Sequence, residues 1–229
     1  MPPSAPGSML LFLLVVAFVA LAAVVAVAAT ALPHQRGRDA GRAALVVAAW
    51  MGLTAVPPTL GWLSAEQPIP SIPLFLGSQL VVVLALAVSP LGRRLARLPA
   101  SWLLGFQGFR LPLEIVLSLW VAEGRVPPQM TWTGSNWDVA AGVVALLLAP
   151  FAARSRAVAW IGLGITLGLL LNVLRVVVTS FPTPLQRFDE PVLLALSVPE
   201  VWIASVCVMG AMAGELLLLR HLLHANRAE

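Results

Sequence analysis

The chain alternates between long apolar runs and short polar connections. A run of about 20 apolar residues is long enough to cross a hydrocarbon core of about 30 Å as an α-helix. The pattern predicts spanning helices at about residues 9–32, 43–62, 74–91, 102–121, 138–153, 157–179 and 198–219. We therefore predict an all-α fold, a polytopic transmembrane helical bundle that forms one integral membrane domain over residues 1–229.

Proline and glycine mark irregular positions within these runs. The second run is interrupted by Pro57-Pro58, and a proline-rich connection, "SAEQPIPSIP", precedes the third. The fourth run contains "FRLPLE", in which Pro112 removes a backbone hydrogen bond near Gly108. The fourth helix is therefore expected to be locally broken near mid-membrane.

Composition supports a membrane location. Hydrophobic residues make up 59% of the chain and charged residues 10%, whereas soluble domains carry about 25% charged residues. The connections between apolar runs are short, and "AEGRVPPQMTWTGSNW" has sixteen residues. The chain therefore has no room for a soluble catalytic domain, and any chemistry belongs to helices and short loops.

Charge distribution predicts the topology. Every basic residue is an arginine, and ten fall in the connections after helices one, three and five and in the C-terminal tail: 36, 38, 42, 93, 94, 97, 154, 156, 220 and 227. The opposite connections hold Arg125 and Arg187 only. The positive-inside rule then predicts seven spans with the N-terminus outside and the C-terminus cytoplasmic, in a bacterial cytoplasmic membrane. The distribution of the arginines therefore indicates membrane topology and not a nucleic-acid-binding surface.

Cysteine and histidine usage excludes several chemistries. Cys207 is the only cysteine, so an internal disulfide or a CxxC site is excluded. The three histidines, His34, His221 and His224, fall in predicted loops or tail. We therefore predict no cofactor and no metal site.

Charged side chains inside spanning helices are functional candidates. Arg110 and Glu114 lie one helical turn apart, so they can pair with each other. Three roles are open for the pair. The two charges can neutralise each other so that the helix inserts into the membrane, they can form an ion pair that holds two helices together, or they can line a polar pocket where the helix is broken.

Two further polar residues share a face of the sixth helix. Asn172 and Arg175, in "LLLNVLR", are three positions apart in its outer half. Arg175 can extend to the outer interface and Asn172 can bond between helices. Alternatively, both belong to a binding site.

The remaining acidic candidates have local explanations. Asn136 or Ser135 can cap the fifth helix, with Asp138 in its first turn. "SVPE" at 197–200 fits a capping box that ends in Glu200. Asp138 and Glu200 would still line an outer vestibule, whereas Glu215 is expected to pair locally at the inner interface.

The connection "PPQMTWTGSNWD", residues 127–138, joins tryptophans to five hydrogen-bonding side chains. Tryptophan is enriched at membrane interfaces. The segment is either an interfacial turn with an aromatic belt or a re-entrant loop that closes over the polar residues.

Two resemblances follow from these motifs. "FRLPLE", "PPQMTWTGSNWD" and "LLLNVLR…SFPTP" together resemble an uncharacterised family of bacterial polytopic membrane proteins, over about residues 105–220. That resemblance implies the fold and the membrane location. "LLLNVLRVVV" is also similar to the Asn-x-x-Arg segment of exosortases and archaeosortases, which implies that Asn172 and Arg175 occupy an active-site region. Those transpeptidases have a nucleophilic cysteine near the start of the preceding helix, where this chain has "GSNWD", and a histidine later, where it has "SFPTPLQRFDEP". Neither residue is present at these positions.

The residues favour binding over catalysis. We predict that Arg110, Glu114, Asn172 and Arg175, with Asn136, Asp138 and Glu200, form an outward-facing intramembrane pocket for a small polar or anionic solute or a lipid headgroup. Two arginines suit a carboxylate or phosphate, and a protonatable Glu114 would allow proton coupling. The alternatives are a membrane-embedded hydrolase or transferase with Ser135 or Thr133 as nucleophile, and a structural or assembly protein. The only partner predicted outright is the lipid bilayer, and the oligomeric state is not determined.

Overall fold

The protein is a bundle of α-helices. The computed structural model describes residues 4–63 and 71–225, and every regular element in those residues is helical. Six helical segments are long and apolar enough to span a membrane, and the apolar helix Asp138–Ala152 is shorter. The all-α fold with candidate membrane-spanning helices is thereby confirmed, while the seventh span and the orientation of the termini remain predictions.

Nine α-helices account for most of the described residues, with single 3₁₀ turns between some of them. They are α1 Pro6–Ala29, α2 Arg36–Thr59, α3 Ser71–Val88, α4 Pro90–Leu95, α5 Ala100–Phe106, α6 Arg110–Ala122, α7 Asp138–Ala152, α8 Arg156–Ser180 and α9 Met209–Ala225. Most of the predicted proline-rich connection, and Arg227, lie outside the described residues.

The second helix begins earlier than the apolar pattern predicted. The connection carrying Arg36, Arg38 and Arg42 forms the first two turns of α2 instead of a loop. Arginine is a good helix former, and Asp39 in the first turn suits the positive end of the helix dipole. Pro57 and Pro58 lie in the last turns, so they end the helix rather than interrupt it.

The predicted break in the fourth span is confirmed. Helices α5 and α6 are separated by one 3₁₀ turn, Gln107–Phe109. Pro112 follows in the first turn of α6 and leaves the carbonyl of Gly108 without its helical donor. The irregular turn therefore lies directly before Arg110.

The last span begins later than predicted, and its capping box is absent. A π-helical segment, Ile203–Val208, precedes α9. The Ser197 hydroxyl has no hydrogen-bond partner among the described residues, and Glu200 pairs with Arg125. A long-range ion pair has replaced the local cap.

The two ends of the bundle differ in chemistry. At one end Arg94 pairs with Asp39, Arg156 donates to the carbonyl of Leu222, and Arg220 donates to carbonyls that end α3. We call this the arginine-rich end. The opposite end, where the segment 127–138 contacts α6 and α8, is called the loop end.

Helices α6 and α7 approach each other closely at Gly142. A Cβ atom at this position would lie 2.7 Å from the backbone nitrogen of Leu111. The glycines of "GAMAG" are likewise crowded, since a Cβ at Gly210 would lie 2.9 Å from Val19. By contrast, a Cβ at Gly164 or Gly168 would meet no described atom within 4 Å. Gly210 and Gly214 therefore lie at a close contact with neighbouring side chains, whereas Gly164 and Gly168 do not.

Gly142→Ala is expected to destabilise the bundle by about 1–3 kcal/mol, because a backbone nitrogen cannot move aside as a flexible side chain can. The matched control is Gly164→Ala, which adds the same methyl group to a neighbouring helix in open space. Thermal unfolding in detergent, followed by size-exclusion chromatography, measures the difference. Equal melting temperatures for the two variants would contradict the close approach.

Candidate functional site

Arg110 lies at the centre of a buried ionic cluster. Its side chain is 1% exposed and forms a two-point ion pair with Asp138, in which Nε donates to Oδ2 at 2.9 Å and Nη2 donates to Oδ1. Nη1 donates to the carbonyl of Thr166 at 2.8 Å. The guanidinium therefore joins α6 to the start of α7 and to the middle of α8.

Glu215 is the second carboxylate beside Arg110. Its Oε1 lies 3.7 Å from Nη1, and its side chain is fully buried. Neither carboxylate oxygen accepts a hydrogen bond of normal length from a described residue. The predicted local pairing of Glu215 at the inner interface is thus wrong: Arg220 binds carbonyls at the end of α3, and His221 contacts the carbonyl of Ala96.

The sequence did contain a signal for Glu215. The last span runs from Ile203 to His224, so Glu215 lies near its middle, about 18 Å from the start at 1.5 Å per residue. Ending that span at residue 219 moved Glu215 towards an interface. With a span that ends at His224, Glu215 lies in the middle of the helix and would have been predicted as a functional residue, because charged side chains inside spanning helices are functional candidates.

Glu114 does not pair with Arg110, although the two share a helix face. Its Oε1 accepts a hydrogen bond of 2.8 Å from the backbone N–H of Trp132, and Oε2 has no partner among the described residues. The self-paired insertion hypothesis is therefore wrong. We use the name Arg110 cluster for Arg110, Glu114, Asp138 and Glu215.

The segment 127–138 contains both buried polar side chains and exposed aromatic ones. Thr131 and Asn136 are buried, whereas Trp132 and Trp137 are 58% and 62% exposed. Asn136 donates to the carbonyl of Met130 and accepts from the N–H of Asp138. Asn136 therefore holds the segment in a compact turn, while the two tryptophans are exposed at its surface.

Asn172 and Arg175 do share a face, but at the surface of α8. Asn172 Nδ2 donates to the carbonyl of Ser135 at 2.8 Å. Arg175 donates to Asn172 Oδ1 through Nη2 at 2.9 Å and Nε at 3.2 Å. Arg175 is exposed, so Asn172 links a surface guanidinium to the segment 127–138.

Arg125 is a site residue that the sequence reasoning missed. It is buried, pairs with Glu200 through Nη2 and Oε1, and lies 4.8 Å from the ring centre of Trp120. It follows Gly124, whose φ of 69° turns the chain back after α6. In the sequence, Arg125 lies in a connection between two helices and was interpreted only as a sign of membrane topology. Its partner Glu200 lies 75 positions away, so no local pattern indicated the ion pair.

The seven predicted site residues do not line one cavity. Arg110, Glu114, Asn136 and Asp138 are buried in side-chain and backbone contacts. Two large cavities, of about 690 and 520 Å³, lie elsewhere, and of the seven only Glu200 lines either of them. The buried charges around Arg110 are thus separate from the surface residues Asn172 and Arg175. The segment 127–138 contacts both groups.

The candidate nucleophiles Thr133 and Ser135 lie at the opposite end of the bundle from His221 and His224. The Thr133 hydroxyl bonds to that of Thr131, and Ser135 lies at the loop end. His221 and His224 contact residues of the arginine-rich end. Within residues 4–63 and 71–225, no three His, Cys, Asp or Glu side chains are grouped to hold a metal ion.

No protein-family model, curated protein or solved structure matches the chain. The two resemblances noted above stay predictions.

Proposed function

We propose that the protein is a proton-coupled carrier of the bacterial cytoplasmic membrane that binds a small anionic solute at its loop end. The Arg110 cluster is the proton site, and the exposed Arg175 is the first contact of the solute. The arginine-rich end faces the cytoplasm in this proposal, in agreement with the positive-inside rule.

The observation that carries the proposal is the position of the segment 127–138. On one side it bonds to Asn172, which orients Arg175. On the other side it bonds to Glu114 through Trp132 and ends in Asp138, the partner of Arg110. A displacement of this segment by a bound anion is thereby transmitted to two carboxylates of the cluster.

The charges of the cluster suit proton binding. One guanidinium stands among three carboxylates, so the four side chains reach electrical neutrality with two protons bound. An uncompensated charge costs several kcal/mol in a low-dielectric interior, and acidic side chains inside membranes commonly act as proton relays. Because Arg110 is already engaged by Asp138 and a carbonyl, Arg175 is better placed than Arg110 to meet an anion.

Infrared difference spectroscopy on protein reconstituted in phosphatidylcholine vesicles tests both halves of the proposal. Wild-type protein should show a protonated-carboxyl band that titrates with pH and changes when inorganic phosphate or succinate is added. Glu215→Gln should remove part of the titrating band. Arg175→Gln should keep the titration and lose the response to the anion.

Two exposed residues provide matched controls. Glu190→Gln removes a surface carboxylate, and Arg187→Gln removes an exposed arginine from the same end of the bundle. Both should behave as wild type. An anion response that survives in Arg175→Gln, or that neither probe anion produces in wild type, would overturn the carrier function.

A further inference from the structure

Helix α2 borders a cleft and is attached to the rest of the bundle on either side of it. Near the loop end it is held by two indole hydrogen bonds, from Trp50 to the carbonyl of Ser205 and from Trp202 to the carbonyl of Met51. At the other end Asp39 pairs with Arg94 at 2.9 Å. Between these attachments no residue of α2 is buried, and its one buried residue, Thr54, lies beyond them.

The cleft between these attachments has a volume of about 690 Å³ and is lined by α1, α2, α4, α5 and α9 and by Leu86 of α3. Its walls are almost entirely apolar. Five large side chains line it and are also exposed at the surface: Phe18, Val25, Val46, Leu91 and Trp102. The cleft is therefore continuous with the surface that faces the hydrocarbon, and a molecule can enter it laterally.

Two arginines and one aspartate line the cleft at the arginine-rich end. Arg94 bonds to Asp39 Oδ2 and to the carbonyl of Val27. Arg42 is exposed and lies one turn from Asp39 on the same face of α2. Within residues 4–63 and 71–225 no carboxylate pairs with Arg42, so this end of the cleft carries one net positive charge.

We propose that this cleft binds an anionic phospholipid, with one acyl chain between α2 and α5 and the phosphate at Arg42 and Arg94. An amphiphile is required because the walls are apolar and the charge is confined to one end. The volume lies within the range of about 300–1,000 Å³ that is typical of small-molecule sites. Basic pockets between spanning helices are a recognised way of holding anionic headgroups.

Charge complementarity selects this occupant over the others. A zwitterionic lipid such as phosphatidylcholine would fill the apolar walls, but its choline cation already compensates its phosphate, so it would leave the net positive charge at this end of the cleft in place. A water-soluble anion would gain nothing from the walls. The site is distinct from the proposed solute contact at Arg175, which lies at the opposite end of the bundle, and it does not depend on the carrier function.

Quenching of tryptophan fluorescence by brominated lipids tests the site in the intact protein. The protein is reconstituted in phosphatidylcholine vesicles that contain either brominated phosphatidylglycerol or brominated phosphatidylcholine. The contribution of Trp102 is the difference between wild type and Trp102→Phe. Brominated phosphatidylglycerol should quench this contribution at lower mole fractions than brominated phosphatidylcholine does.

Substitution of Arg42, compared with substitution of Arg38, tests whether the headgroup contacts the cleft. Arg42→Gln should weaken the preference for phosphatidylglycerol about fivefold, as expected for loss of one basic side chain at an anionic headgroup. Arg38→Gln removes an exposed arginine of the same helix that does not line the cleft, so it should keep the preference. Equal quenching by both lipids, no quenching of Trp102 by either, or equal losses in the two variants would each overturn the proposal.

Discussion

Replacement of Arg110 by glutamine is expected to cost about 3–5 kcal/mol of stability, the range for removal of one partner from a buried ion pair. The guanidinium joins α6, α7 and α8 through Asp138 and the carbonyl of Thr166. Without it, Asp138 and Glu215 remain buried with no cation within ion-pair distance among the described residues. The expected result is protein that is poorly expressed or unfolds at a much lower temperature in detergent.

The double variant Arg110→Gln/Asp138→Asn separates a structural role from a functional one. It removes both charges while keeping polar groups of similar size, so much of the lost stability should return. A double-mutant cycle then gives the coupling free energy of the pair. Arg93→Gln, an exposed arginine, is the control and should have a melting temperature near that of wild type. Additive losses in the double variant would contradict a direct pair.

The same cycle bears on the proposed function. If the folded double variant still changed its infrared spectrum on addition of an anion, the Arg110–Asp138 pair would be a clamp between helices and not part of the proton site. If it folded normally and lost the response, the pair would belong to the coupling between segment 127–138 and the cluster.

Arg125→Gln is expected to have the second-largest effect, again about 3–5 kcal/mol. Arg125 is the buried partner of Glu200 and also lies over the ring of Trp120, so its removal leaves a buried carboxylate and loses a cation–π contact. The variant should unfold at a lower temperature, with the chain around residue 200 becoming accessible to protease first.

Glu200→Gln supplies the comparison for this pair. The amide oxygen can still accept from Arg125, so the loss should be smaller than in Arg125→Gln. Arg187→Gln, at the same end and exposed, should leave thermal stability unchanged. A wild-type melting temperature in Arg125→Gln would show that the pair contributes nothing to the fold.

Spanning helices were predictable because hydrophobic length is a local property. Each predicted run overlaps a helix of the structure, and the break before Arg110 follows from the chemistry of Pro112. Boundaries were less accurate where a polar residue continues a helix, as at Arg36, or where a cap was available but unused, as at Ser197.

The sequence by itself determined which segments are apolar enough to enter a membrane, in which connections the arginines lie, and that Arg110 and Glu114 belong to an apolar helix. The tertiary structure alone decided the partner of each buried charge. Arg110 bonds to Asp138, 28 positions away, in preference to Glu114 on its own helix face. The reason is physical: close packing at Gly142 brings α7 against α6, so the best-aligned carboxylate for a planar guanidinium comes from another helix. Local spacing gives the pairs that are possible, and packing selects among them.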